Sequence, residues 1–234
     1  PAHIGMAGVS YGAGISLLAS AFDPRVRAVA ALSGWTDLVA SIFGDETRRQ
    51  QAVLLLKLTA ELVGEPSAEF ETILADFKAA RNIPALKAWG NARGAATYLP
   101  SINQNQPAIL IANAYGDSIF PPNQLVDFFG ALSGPKRLEL RPGDHAVPEA
   151  TGLVGLPNGA WDSMRNWMDA YLRGGAAVPN VIELHSQSEG PTETFPDWAS
   201  VATTTRSWPP LASGSIDDGT RPWSSVSTDW NSGR

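Results

Sequence analysis

Residues 4–22 of this chain read IGMAGVSYGAGISLLASAF, and this stretch decides the fold. The run over residues 3–9 predicts a buried strand, and the small residues from 12 to 22 predict a helix that stops at Asp23-Pro24. Ser10 lies between them, in the pentapeptide Gly-Val-Ser-Tyr-Gly. A serine on a sharp turn from strand to helix is the nucleophile elbow of hydrolytic enzymes, in which glycines allow the two elements to pack closely. The stretch therefore predicts an α/β fold that presents Ser10 as a nucleophile.

A serine hydroxyl is a weak nucleophile unless a histidine acts as its base and a carboxylate orients that histidine. In α/β-hydrolases these residues follow the order serine, acid, histidine along the chain. Of the three histidines, His3 precedes Ser10, and His185 lies in a stretch that predicts a structural strand. His145 remains, in a loop after the strand-like run 136–140, and such strand ends carry the sites of parallel sheets. We therefore predict that His145 is the base.

Three carboxylates compete for the role of the acid. Asp117 follows the continuous apolar run 108–114, which is typical of a strand in a parallel sheet. Asp37 follows the preceding predicted strand, a position at which some hydrolases place their acid. Asp144 is adjacent to His145, and neighbouring side chains seldom meet in the required geometry. Position therefore favours Asp117 and leaves Asp37 and Asp144 as alternatives.

Composition excludes several classes of function. The chain has 234 residues, 44% of them hydrophobic, which is enough for a large core. Its net charge is −6, which argues against nucleic acid or an anionic membrane surface as a partner. The absence of cysteine excludes disulfides, thiolate chemistry and Cys-based zinc sites, and three dispersed histidines argue against a His-rich metal site. No apolar stretch approaches the length of a membrane span. We predict no metal and no cofactor.

The order of predicted elements divides the chain into three parts. Residues 1–43 and 100–177 are predicted to form an α/β-hydrolase core, a parallel sheet with helices on both faces. Residues 44–99 predict helices and are interpreted as a cap inserted over the site. Residues 178–234 are rich in Ser, Thr, Pro, Gly and Trp and predict the start of an all-β, jelly-roll-like module. The strands predicted in that module are 181–185 and 199–204.

The predicted core is only the C-terminal part of such a sheet. The strand at residues 3–9 is expected to be central, yet the other predicted strands of the core are all expected on one side of it. These strands are 26–32, 108–114 and 136–141. We therefore expect an N-terminal segment or a companion chain to pair with the open edge, because unpaired backbone groups there are costly. The same partner is expected to supply the second oxyanion donor and to close the substrate pocket.

A known family shares these features. Residues 4–13 resemble the elbow of the X-Pro dipeptidyl-peptidase and cocaine-esterase-like group of serine hydrolases. The order of parts is also similar, because that group has an α/β-hydrolase core, a helical cap between its sixth and seventh strands and a C-terminal jelly roll. The resemblance covers residues 3–35 and 107–210. It implies the same fold and a serine-hydrolase activity.

The resemblance also implies roles for individual residues. Ser10 is the nucleophile, Asp117 the acid and His145 the base, and the Tyr11 N–H is one oxyanion donor. The family's second donor is typically a tyrosine hydroxyl upstream of the elbow, and this sequence has no tyrosine before Ser10. The residues predicted to line the substrate pocket are Trp35 and Phe120.

We predict a serine hydrolase that cleaves a small-molecule carboxylic ester or amide through an acyl-enzyme. Family members that bind a substrate's α-amino group use extra carboxylates near the acid, and residues 118–121 contain none. An X-Pro dipeptidyl peptidase is for this reason the less favoured alternative. A non-catalytic binding or scaffold protein on a hydrolase fold is the alternative of another class. Localisation stays open, with few lysines, no cysteine and a Ser/Thr/Asn-rich tail slightly favouring export.

Overall fold

The fold is built on one mostly parallel sheet. The structure is a computed structural model and describes residues 3–186 and 191–201. The strands are β1 (Ile4–Val9), β2 (Val26–Leu32), β3 (Ala108–Ala114), β4 (Lys136–Arg141), β5 (Ile182–Leu184) and β6 (Glu193–Phe195). They lie side by side in chain order, with β1 to β5 parallel and β6 antiparallel to β5.

Helices connect and cover these strands. They are α1 (Tyr11–Phe22), α2 (Leu38–Phe43), α3 (Gln50–Val63), α4 (Ala68–Ala79), α5 (Ile83–Asn91), α6 (Leu99–Asn105), α7 (Asn123–Ala131), α8 (Ala150–Leu153) and α9 (Gly159–Leu172). Short 3-10 turns occur at Gly44–Glu46, Ala95–Tyr98 and Trp198–Ser200. The parallel sheet with its connecting helices confirms the α/β class that the sequence predicts.

The central strands are buried on both faces, which explains why they read as continuous apolar runs. Val29 of β2 belongs to a core cluster with Leu17 of α1. Its neighbour Ala30 belongs to a separate cluster with Trp167 of α9. Since successive residues of a strand point to opposite faces, α1 and α9 cover the two sides of the sheet. Trp167 is fully buried and its Nε1 donates a hydrogen bond to the carbonyl oxygen of Ala108 at 3.2 Å.

Parallel pairing aligns the carboxyl ends of the first four strands. Val9 pairs with Leu32, and Leu32 in turn pairs with Ala112. Ala114 of β3 pairs with Arg141 of β4. The loops that follow β1, β2, β3 and β4 therefore emerge along one edge of the sheet, which is where open α/β sheets form their sites.

β1 lies at one end of the described sheet. Its residues Gly5 and Ala7 are exposed, whereas every residue of β3 is buried. The adjoining helix α1 exposes the large side chains of Tyr11, Ile15 and Phe22. Both elements thus carry apolar surface that the described residues leave uncovered.

The C-terminal region departs from the sequence prediction. The strand expected at 181–185 is observed as β5, but it pairs with β4 and extends the hydrolase sheet. The strand expected at 199–204 is wrong at its start, because Trp198–Ser200 forms a 3-10 turn. Asp197 causes this, since its Oδ1 accepts a hydrogen bond from the Ser200 N–H at 2.9 Å and so competes with an extended backbone. The described residues show no separate all-β module, and residues 187–190 and 202–234 of the predicted module lie outside them.

The segment 44–99 is helical, as expected for a cap. Leu56 of α3 and Trp89 of α5 pack against a cluster that contains Trp35 and Phe120. These helices therefore contact the end of the sheet from which the loops emerge, and their role as a cap stays a prediction. None of the helices in the described ranges is both long and apolar enough to cross a membrane.

Candidate active site

Ser10 occupies a strained turn between β1 and α1. Its backbone has φ 57° and ψ −114°, a conformation that costs an L-residue about 1–3 kcal/mol. The Ser10 N–H donates to the Leu32 carbonyl at 2.8 Å, and the Ser10 carbonyl accepts from the Ala13 N–H at 3.0 Å. The last bond of the strand and the first turn of the helix thus hold the serine between them. Its side chain stands at the carboxyl end of the sheet.

Of the two glycines in the pentapeptide, only Gly8 is required by close packing. A Cβ atom on Gly8 would lie 2.3 Å from the carbonyl carbon of Gly12, which no real side chain tolerates. A Cβ atom on Gly12 would meet nothing within 4 Å. Sequence reasoning gives both glycines the same steric role, and the structure restricts that role to Gly8 among the described contacts.

The three side chains predicted as nucleophile, base and acid form one hydrogen-bonded chain. His145 Nε2 lies 2.8 Å from Ser10 Oγ. His145 Nδ1 lies 3.0 Å from Asp117 Oδ2 and 3.2 Å from Oδ1. Asp117 is 3% exposed, and its Oδ1 accepts hydrogen bonds from the backbone N–H groups of Ile119 and Phe120 at 3.0 and 2.7 Å. These two donors fix the orientation of the carboxylate that faces the imidazole.

The alternative acids have other partners. Asp37 caps α2, and its Oδ1 accepts a hydrogen bond from the Ala40 N–H at 2.8 Å. Asp144 Oδ1 accepts from the N–H groups of Ser118 and His145 at 2.8 and 2.7 Å. These two bonds hold the pKa of Asp144 below its usual value. Asp144 therefore contacts the backbone of the base loop, while Asp117 contacts the ring.

The other histidines take no part in this arrangement. His3 is exposed at the beginning of the described chain. His185 follows β5, where its Nε2 lies 2.9 Å from Glu183 Oε1 and its Nδ1 lies 3.5 Å from Arg141. Burial is the main cause that lowers the pKa of His185, and the positive charge of Arg141 lowers it further. Within residues 3–186 and 191–201, no group of three or more His, Asp or Glu side chains is arranged to hold a metal ion.

A buried carboxyl group, that of Glu149, lies next to the loop that carries His145 and was not predicted from the sequence. Glu149 is fully buried, and Ser33 Oγ donates a hydrogen bond to it, at 3.0 Å from Oε2 and 3.1 Å from Oε1. Burial raises the pKa of Glu149, while the Ser33 hydroxyl and the charge of His145 act in the opposite direction. The only signal in the sequence is a glutamate four residues after His145, and such spacing does not separate a buried residue from an exposed one.

The predicted oxyanion donor and pocket residues lie around the serine. Tyr11 is the first residue of α1, so its N–H has no acceptor within the helix and is available at the positive helix end. Trp35 is 4.8 Å from Phe120 and 5.8 Å from Tyr11, measured between ring centroids. Phe120 also stacks edge-on against the His145 ring at 5.3 Å. Trp35 and Phe120 are both buried. Phe120 supports the imidazole directly and Trp35 packs against Phe120, and the role of both residues as pocket lining stays a prediction.

Comparison with known families identifies the chain. The model of the X-Pro dipeptidyl-peptidase (S15) family matches residues 1–147, which is well over half of the 234 residues. The chain belongs to the S15 family. The matched S15 region includes Ser10, Asp117 and His145, and the match confirms the family that residues 4–13 resemble.

Solved structures of hydrolases resemble this S15 chain at low identity. Acetyl xylan esterase 1 from Thermoanaerobacterium is 16% identical, over 73% of this chain and 46% of that chain, with a TM-score of 0.41. An acylaminoacyl peptidase from Pyrococcus horikoshii is 14% identical, over 71% of this chain and 22% of that chain, with a TM-score of 0.43. A 2,6-dihydroxy-pseudo-oxynicotine hydrolase is 19% identical, over 75% and 42% of the two chains, with a TM-score of 0.48. The chain thus spans less than half the length of each. The search of curated protein sequences gives no match.

Proposed function

We propose that this chain hydrolyses a carboxylic ester or amide through an acyl-enzyme formed on Ser10. The observation that carries the proposal is the continuous contact from Ser10 through His145 to Asp117, with distances of 2.8 and 3.0 Å. A serine, an imidazole and a buried carboxylate in this geometry are the parts that acyl transfer needs. Membership of the S15 family supports the same class of chemistry.

The order of steps follows from the contacts. A proton on His145 Nδ1 faces Asp117, which leaves the Nε2 lone pair directed at the Ser10 hydroxyl. His145 removes the hydroxyl proton as the oxygen attacks the substrate carbonyl, and it then gives that proton to the leaving group. Water, activated by the same nitrogen, attacks the acyl-enzyme and releases Ser10. Asp117 keeps the ring oriented and stabilises its cationic form during both steps.

Charge on the substrate oxygen requires preorganised donors. The Tyr11 N–H at the start of α1 is the donor that this chain supplies, and the helix dipole adds to its effect. We propose that a second donor comes from an N-terminal segment or a companion chain, which also supplies a strand that pairs with the open edge of β1. The exposed Gly5 and Ala7 and the uncovered apolar side chains of α1 support such a partner.

The family match favours one second candidate, an X-Pro dipeptidyl peptidase. Such an enzyme must bind the free amino group of its substrate, which calls for an unengaged carboxylate near the acid. Asp117 is engaged by His145 and two backbone N–H groups, and residues 118–121, which follow it, contain no second carboxylate. The turn after Asp117 therefore favours a substrate without a free α-amino group.

Labelling of the full-length protein with a fluorophosphonate tests the proposal. We expect covalent modification of Ser10 in the wild type and none in Ser10→Ala or after heat denaturation. Ser16→Ala is the matched control, because Ser16 lies on the same helix with its hydroxyl bound to the Gly12 carbonyl. Turnover of p-nitrophenyl acetate without turnover of Gly-Pro-p-nitroanilide supports the esterase, and the reverse supports the peptidase. Failure of both labelling and turnover supports the non-catalytic alternative.

A further inference from the structure

A buried hydrogen-bond network packs against the loop that carries His145. Glu149 is fully buried, and among residues 3–186 and 191–201 no lysine or arginine pairs with its carboxyl group. Its side-chain partner is the hydroxyl of Ser33, at 3.0 Å. Burying a carboxyl group is costly unless it is hydrogen-bonded, so this contact accounts for its place in the interior.

Ser33 connects Glu149 to the loop that carries the base. It follows β2 directly, is fully buried, and its N–H donates to the Ala112 carbonyl of β3 at 2.7 Å. Its Oγ donates to Glu149 and accepts a hydrogen bond from the Ala146 N–H at 3.2 Å. The Ser33 hydroxyl at the end of β2 thus contacts the segment after His145 at two points, the Ala146 N–H and the Glu149 carboxyl group.

The residue held by Ser33 is in an unfavourable conformation. Ala146 has φ 58°, in the left-handed region that a residue with a Cβ atom rarely adopts. Ala146 follows His145 immediately, so its backbone angles set the path of the loop next to the residue that carries the imidazole. Ser33 itself has φ 46°. Two strained residues in contact through one hydroxyl indicate a conformation that surrounding bonds enforce.

A third contact fixes the other end of the network. The indole Nε1 of Trp161, on α9, donates to the backbone carbonyl of Glu149 at 3.0 Å. The main chain of Glu149 is therefore anchored to the helix and its side chain to the sheet. Moving the loop that carries His145 would break both anchors.

We propose that Ser33 and Glu149 are positioning residues that hold Ala146 in its left-handed conformation and so keep the His145 ring between Ser10 and Asp117. The inference rests on the proposed role of His145 as the base. Neither side chain reaches open substrate space, since both are fully buried. Their loss should therefore lower kcat and leave KM nearly unchanged. The effect works through the base, because a small misplacement of a catalytic group can reduce rates by about 100-fold.

The test is a double-mutant cycle in the full-length protein. We expect Ser33→Ala and Glu149→Ala each to lower kcat by about tenfold or more, and the double variant to be no slower than the worse single variant, because residues that act as a unit are non-additive. Glu149→Gln keeps an acceptor for the Ser33 hydroxyl and should restore most of kcat. Ser20→Ala is the matched control, since Ser20 is equally buried and its hydroxyl is bound to the Leu17 carbonyl, remote in sequence from the base loop.

Two results would overturn the inference. One is a Ser33→Ala variant with kcat within about twofold of the wild type, and the other is independent, multiplicative losses in the double variant. A second readout does not depend on turnover: the low-field NMR signal of the His145 Nδ1 proton should shift or broaden in Ser33→Ala and stay in place in Ser20→Ala. If the fluorophosphonate does not label Ser10 in the wild type, the proposed function is rejected but the inference is not. The NMR signal of the His145 Nδ1 proton then tests the inference without any measurement of turnover.

Discussion

The backbone N–H of Ser118 donates a hydrogen bond to Asp144 Oδ1 at 2.8 Å, so the turn that carries Asp117 is joined to the loop that carries His145. The same oxygen accepts the N–H of His145 at 2.7 Å. These bonds stabilise the ionised carboxylate and so lower the pKa of Asp144. Asp144, which the sequence left as an alternative acid, therefore joins the two loops instead.

Removing this link should impair the chemical step. In Asp144→Ala we expect kcat to fall by about tenfold, because the separation of Asp117 from His145 then depends on unlinked loops. Asp144→Asn keeps one acceptor oxygen and should lose less. Asp37→Ala is the control: it removes a helix cap, costs about 0.5–2 kcal/mol of stability by chemical unfolding, and should leave kcat unchanged. Equal kcat in Asp144→Ala and the wild type would show that the link is dispensable.

The two glycines of the pentapeptide should respond differently to the same substitution. Gly8→Ala places a Cβ atom 2.3 Å from backbone, and overpacking of this kind costs about 1–3 kcal/mol or more. Gly12→Ala lies in the first turn of α1 with nothing within 4 Å of the new atom, and alanine is favoured over glycine in a helix by up to about 1 kcal/mol. Urea unfolding of the two variants measures the difference. A Gly12→Ala variant less stable than Gly8→Ala would contradict the steric account.

β4 carries a buried charge network that makes stability depend on pH. Glu139 is fully buried and accepts hydrogen bonds from Arg137 and Arg141 at 2.7 and 2.8 Å, and Arg137 also pairs with Glu183. Burial alone raises the pKa of Glu139, but the two arginines outweigh it and the net pKa is lowered. The stabilisation from this group is therefore present above its unfolded pKa and is lost as the pH falls through the lower folded pKa.

The variant Glu139→Gln isolates that contribution. At neutral pH we expect a loss of about 3–5 kcal/mol, because two partly buried arginines lose the buried carboxylate that they share, and only Arg137 keeps another carboxylate, that of Glu183. The difference between variant and wild type should shrink as the pH falls below the unfolded pKa of a glutamate, since the wild type then loses the same charge. Asp23→Asn, which breaks an exposed pair with Arg25, should change stability little at any pH. A Glu139→Gln difference that stays constant from neutral to acid pH would refute the linkage.

Residues that belong to a periodic or ordered pattern could be predicted from the sequence. The pentapeptide points to Ser10 and the order of strand ends points to His145 and Asp117, three side chains that lie in contact in the structure. The observed strands agree closely because each central strand is a continuous apolar run. β2, for example, begins and ends at the predicted Val26 and Leu32.

The remainder depends on contacts that no local pattern encodes. β5 has three residues, too few to show which sheet it joins, so its pairing with β4 was not predictable. The turn at Trp198–Ser200 results from one carboxylate cap that outweighs β-propensity. Ser33 and Glu149 are separated by 116 positions, and only the fold brings them together.

The open edge of β1 provides the sharpest test of a partner strand. In a parallel strand the N–H groups of successive residues point alternately to the two neighbours. The Ile4 N–H donates to the carbonyl of Arg25, which directly precedes β2. The Ser10 N–H donates to the carbonyl of Leu32, the last residue of β2. By alternation, the even-numbered residues of β1 face β2 and the odd-numbered residues face the open edge.

Amide hydrogen exchange in the full-length protein can therefore compare the two edges within one strand. We expect the N–H groups of Ala7 and Val9 to exchange as slowly as those of Met6 and Gly8, because a further strand accepts their hydrogen bonds and excludes water. Met6 and Gly8 serve as internal controls, since they face β2 whatever lies on the other side. Fast exchange at Ala7 and Val9 beside slow exchange at Met6 and Gly8 would mean that β1 is a true edge strand. That result would reject the proposed partner strand.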